Sequence, residues 1–76
     1  MKQKKLDYRE YPTPDATRGG CKVGWYLYRD HDAAKACAEA ARHNARIQEG
    51  LGFDFGFQTP GNLILRAPGE WEVCIP

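Results

Sequence analysis

The residue types that could do chemistry in this 76-residue chain are His31, His43, Cys21, Cys37, Cys74 and the tripeptide Asp54-Phe55-Gly56. A thiol and an imidazole make a nucleophile only when they meet. Cys37 and His43 do not share one face of a helix, so that pairing is not expected. His31 falls at the N-terminus of an expected helix, where an imidazolium is disfavoured by the dipole. His43 lies beside the polar stripe of that helix and is expected in solvent. A zinc site needs paired ligands such as C-x2-C with H-x3-H, a spacing this sequence lacks. Cys21 and Cys74 flank the first and last expected strands and read as structural filler. Asp54-Phe55-Gly56 spells the magnesium-binding tripeptide of protein kinases, but the Gly-rich loop, strand lysine and catalytic loop that give it meaning are missing. Arg29-Asp30-His31-Asp32 puts two carboxylates where a phosphate loop would open a helix, and that end repels anions. The expectation is a chain that is not an enzyme and carries neither cofactor nor metal.

Few elements are available to position anything. A domain of this length buries about 60% of the surface its unfolded chain exposes. That excludes a large interior pocket, a two-domain cleft and a repeated βαβ nucleotide fold. A net charge of +1 argues against a dense basic surface for duplex binding. The charge is uneven, because Lys2, Lys4, Lys5, Arg9 and Arg18 outnumber the acids of residues 1–20. No apolar run approaches the ~20 residues needed to span a bilayer, so no membrane partner is expected. The N-terminus has the positive start of a signal peptide without the apolar stretch that must follow. Three cysteines with no close pair read as a reduced chain, and the expected location is cytoplasmic.

Residues 1–20 hold Pro12, Pro14 and Gly19-Gly20 and read as a flexible basic arm. The alternative is an arm that docks through Tyr8 and Tyr11. Residues 21–76 read as a single α+β domain. Within it, residues 22–28 alternate as a strand. Asp30 has the position of a helix N-cap, the helix runs to about Glu49, and Gly50 fits the left-handed position after it. Seven alanines between Asp32 and Ile47 give that helix a smooth face that can sit close to a sheet. On this face lie Ala33, Cys37, Ala40, Asn44, Ile47 and Leu51, flanked by Ala36 and Ala41. Phe53, Phe55 and Phe57 alternate with polar residues and glycine as a second strand. Thr59-Pro60-Gly61-Asn62 and Ala67-Pro68-Gly69-Glu70 carry type II turn chemistry around two further alternating runs. The expected order is β-α-β-β-β, one Ala-rich helix on one face of a small, largely antiparallel sheet.

Period-two alternation divides the sheet. Val23, Trp25, Leu27, Phe53, Phe55, Phe57, Leu63, Leu65, Trp71, Val73 and Ile75 are expected beneath the helix. Lys22, Tyr26, Tyr28, Asp54, Gln58, Ile64, Arg66, Glu72 and Cys74 are expected on the other face, which one helix cannot cover. Tyrosine and arginine are enriched at binding hot spots. The candidate partner-binding residues are therefore Tyr26, Tyr28, Ile64, Arg66 and Lys22, with Lys2, Lys4 and Lys5 steering the approach. Three readings stay open: tyrosines that only shield the sheet, a homodimer interface, and a site for a foreign partner.

The stretch Phe53-Asp54-Phe55-Gly56-Phe57-Gln58-Thr59-Pro60-Gly61, closed by Trp71-Glu72-Val73-Cys74-Ile75-Pro76, is similar to small proteins encoded by tailed phages. Trp25-Tyr26-Leu27-Tyr28 followed by the Ala-rich 33–45 looks like the same kind. The resemblance covers residues 23–76 and carries no catalytic motif. It implies a phage product in the host cytoplasm that occupies a surface of a host protein or nucleoprotein complex and inhibits it. Inhibitors of RNA polymerase and anti-CRISPR proteins are of this class. The alternative function is single-stranded nucleic-acid binding, with the exposed sheet tyrosines stacking on bases.

Overall fold

The computed structural model describes residues 7–20 and 22–76. One helix, α1 (His31–Gly50), packs on a four-stranded antiparallel sheet of β1 (Ala16–Gly19), β2 (Gly24–Tyr28), β3 (Leu63–Ala67) and β4 (Glu70–Ile75). The strand order is β1-β2-β4-β3, with the helix between β2 and β3 in the chain. This is the expected α+β architecture.

Local chemistry sets the element ends. Asp30 Oδ2 accepts from the Ala33 amide at 3.2 Å and caps α1, and Asp32 lies in the first turn. At the other end the amides of Leu51, Gly52 and Phe53 return to the carbonyls of Ile47, Glu49 and Gln48. Gly52, at φ 96°, takes the left-handed position expected of Gly50, which is still helical. The turn at Thr59–Asn62 closes with Asn62 N donating to Thr59 O at 3.0 Å. Its Gly61 (φ 94°) is required twice over: a Cβ there would also collide with the Arg42 side chain. Gly69, at φ 76°, turns β3 into β4.

One strand sits elsewhere than expected. Residues 53–58 form a loop. Asp54 Oδ1 accepts from the Gly56 amide at 2.9 Å, and Gly56 adopts φ 66°, so the side chain turns the backbone out of extension. Phe55 alone of this run is buried, clustered with Val23, Ala45 and Cys74, with Trp25 packed against them. Phe53 and Phe57, expected in the core, are exposed. The fourth strand is instead Ala16–Gly19, from the segment expected to be a flexible arm.

The described part of that arm is folded onto the domain. Asn44, 3% exposed, accepts from Arg9 N at 2.8 Å and donates to Arg9 O and the Tyr11 hydroxyl, both at 2.9 Å. His43 Nε2 lies 2.7 Å from the Asp7 carbonyl, to which it donates, so this ring is half-buried and not solvated. Asp15 Oδ2 accepts from Arg29 N at 2.8 Å. Tyr11 meets Tyr26 edge-on at 5.6 Å between ring centres. Lys2, Lys4, Lys5 and Cys21 lie outside the described residues.

The faces of β2 are the reverse of the expectation. Antiparallel partners share a side, and Tyr28 is opposite Trp71, Tyr26 opposite Val73. Trp71, Val73 and Ile75 lie beneath the helix as expected, so Tyr26 and Tyr28 lie there too. Tyr28, 1% exposed, belongs to the main core with Ala34, Cys37, Ala38, Ala41, Val73 and Ile75. The alanines bring the helix close, and tyrosine rings fill the space. The Tyr28 hydroxyl donates to Pro12 O at 2.8 Å, so its burial leaves no unpaired polar atom. Leu65 is on the helix side by register but remains 61% exposed at the sheet edge.

Candidate functional site: the helix-free sheet face

The reversed β2 face puts Trp25 and Leu27 where the tyrosines were expected. Trp25 pairs with Arg18 of β1 and Cys74 of β4, and Leu27 pairs with Ala16 and Glu72. Ile64 of β3 is opposite Glu72 from the other side. Trp25 and Leu27 are half-buried and Ile64 is 40% exposed, so the face is apolar and partly open. Cys74 belongs to this side of β4 but is fully covered by the cluster around Phe55.

Charge on this face is tightly organised. Arg18 donates to both Glu72 carboxylate oxygens, Nη2 to Oε1 at 3.1 Å and Nε to Oε2 at 3.3 Å. Arg66 Nη1 donates to Oε2 at 3.0 Å. The Arg18 guanidinium also lies 5.4 Å from the Trp25 ring centre. Glu72 is only 6% exposed, and a carboxylate so placed must be paired. The hydrogen bonds from Arg18 hold its carboxyl below the usual carboxylate range, with the charge of both arginines adding to them against the effect of burial. Arg18, Trp25, Leu27, Arg66 and Glu72 line a cavity of about 180 Å³. It can take one side chain of a partner, with an aromatic wall and guanidinium donors around it.

Of the residues expected to bind, Ile64 and Arg66 are on this face. Tyr26 and Tyr28 are not, because they pack beneath the helix. Lys22 is exposed but lines a separate cavity with Phe55, Gly56, Phe57 and Gln58. Lys2, Lys4 and Lys5 lie outside the described residues. Sequence reasoning missed Arg18, which it assigned to the arm, and Trp25 and Leu27, which it assigned to the core. One signal pointed this way. Glu72 alternates with three apolar residues of β4, so it had to lie on the open face and needed cations beside it.

Two thiols and a phenol of the described residues are buried in the core. Burial pushes the thiols of Cys37 and Cys74 up, and burial together with its contact to Cys37 pushes up the Tyr28 phenol. A thiol raised in an apolar site is a poor nucleophile. Among the described residues there is no group of three or more histidine, cysteine or carboxylate side chains placed to hold a metal, and no helix long and apolar enough to cross a membrane.

No protein-family model, curated protein or solved structure matches this chain. The site therefore stands on its own geometry.

Proposed function

We propose that the chain is a non-enzymatic binding protein whose working surface is the helix-free sheet face, with Trp25 and Arg18 at its centre. The observation that carries this reading is the pre-set geometry of Arg18, stacked on Trp25 and doubly bonded to Glu72 beside an open cavity. Tryptophan and arginine are the side chains that dominate binding energies. An arginine already fixed in place loses little conformational freedom when a partner arrives. The partner is a protein surface: Arg18 and Arg66 share the one carboxylate of Glu72, which leaves a single net positive charge, too little to track a phosphate backbone. The nucleic-acid alternative loses the tyrosine platform it was argued from, since Tyr26 and Tyr28 are beneath the helix. The partner class is the one implied by the likeness to small phage proteins, a host complex such as RNA polymerase or a CRISPR effector that the chain occupies and inhibits.

Biolayer interferometry of the immobilised chain against purified bacterial RNA polymerase and CRISPR effector complexes tests this. Binding weakened by about 2 kcal/mol or more in both Trp25→Ala and Arg18→Ala is the expected result. Absence of binding to either complex, or binding that both variants retain in full, sinks the proposal.

A further inference from the structure

We infer that the outer edge of β3 pairs antiparallel with β3 of a second copy of this chain, joining two sheets into one. Among the described residues the sheet order leaves two edges, β1 and β3. They differ in how they meet water. β1 is four residues, Ala-Thr-Arg-Gly, preceded closely by Pro14 and followed by Gly20, which is the make-up of a protected edge. β3 is Leu-Ile-Leu-Arg-Ala, with Ile64 40% and Leu65 61% exposed on opposite faces. Edges are ordinarily blunted by proline, a bulge or a free charge. Along 63–65 none of these occurs, and the neighbouring Arg66 is held by Glu72. The irregularities lie on either side of this run, at Gly61-Asn62 before it and after Leu65.

The direction of the free backbone groups follows from the ladder. Cys74 N donates to Asn62 O and Cys74 O accepts from Gly61 N, so Gly61 and Asn62 together face Cys74 across a bulge and the Cys74 backbone groups point toward the β3 side. Alternation makes Ile64 opposite Glu72 the next bonded pair. The N–H and C=O of Leu63 and Leu65 then point away from β4, out of the sheet. A two-fold axis through Ile64 sets Leu63 of one copy against Leu65 of the other, so that these outward groups bond each other in both directions. The side chains also match. Leucine meets leucine on the helix side, isoleucine meets isoleucine on the open side, and Arg66 falls opposite Asn62, so no charge opposes its like. A strand that complements itself on both faces selects a second copy over a foreign strand.

This pairing does not rest on the proposed function and is tested apart from it. Sedimentation equilibrium of the full chain over a concentration series should show a reversible dimer. Leu65→Pro removes only an outward donor, because proline at 65 breaks no bond to β4. It should raise the dissociation constant about thirtyfold, the loss of two hydrogen bonds per dimer. Ile64→Lys, which sets two like charges opposite each other, should weaken the dimer as well, and it serves if the proline variant does not fold. In hydrogen exchange of the unmodified chain, the Leu63 and Leu65 amides should slow as concentration rises. A monomer at every concentration overturns the inference. So does a dimer that Ile64→Lys leaves intact, or one in which those two amides stay unprotected.

Discussion

The Asn44 carboxamide bonds the backbone of Arg9 through both of its ends and reaches the Tyr11 hydroxyl as well. Replacing it with alanine removes three hydrogen bonds that tie the N-terminal segment to the helix, and each such bond contributes about 1 kcal/mol. We expect Asn44→Ala to lower stability by about 2–3 kcal/mol in urea melts, with faster proteolysis near residues 8–14. Glu72 gives a pH signature. Its carboxyl is lowered in the fold by Arg18 first, so the unfolded chain takes up the proton more readily. The stability this group supplies is present in full above the unfolded value of about 4.3 and is lost as pH falls through the lower folded value. Glu72→Gln should be less stable than the parent at neutral pH, and the gap should narrow in melts below about pH 4. A constant gap across that range would contradict the pairing. Asn44 was placed on the helix's buried face by spacing alone. Its partners were not legible, because nothing local in Arg9 or Tyr11 announces a contact 35 and 33 residues away.

Among the elements, β2 carries the most consequence, since neighbouring side chains on it serve opposite ends. Tyr28→Ala should cost about 3–5 kcal/mol, as for other large aromatic truncations in a core, and leave the chain largely unfolded. Trp25→Ala, three positions back on the other face and half-buried, should stay folded at room temperature and lose partner binding. Circular dichroism melts of both variants beside the binding assay check this; an unfolded Trp25→Ala with an intact Tyr28→Ala would reverse the face assignment. The helix was legible because Asp30, the alanines and the glycines act locally. The β3–β4 hairpin was legible because Pro68-Gly69 dictates its turn. The faces of β2 were not, because both alternations through residues 24–28 are apolar or aromatic. Only its register against β4 decides, and that is a long-range fact. β1 had no signal of its own: Ala-Thr-Arg-Gly becomes a strand because β2 offers an unpaired edge. The phenylalanine run had the right period for a strand, but Asp54 and Gly56 supplied a competing turn.

For the molecule as a whole, the same N-terminal segment closes the core and equips the site. Pro12 accepts from Tyr28 in the core, and six residues later Arg18 caps Trp25 on the opposite side of the sheet. Composition showed this segment as a mildly basic arm, because prolines and paired glycines are shared by tails and by chains that bend around a domain. Proline-rich segments without a periodic apolar pattern gain their order only from what they touch.

The position of β4 has a bearing on how the chain acquires its shape. It is the last strand in sequence yet lies second from the edge, bonded to β2 on one side and β3 on the other. As the polypeptide emerges from a ribosome, β2 and β3 have no common neighbour until residues 70–75 are made. Contacts that span most of the chain must then form together, which slows folding compared with local pairing. Before that moment the Ala-rich helix has only part of a surface to rest on. Until β4 is free to pair, the aromatic residues of β2 lack the neighbour that covers them, and a holding chaperone would be of most use in that interval.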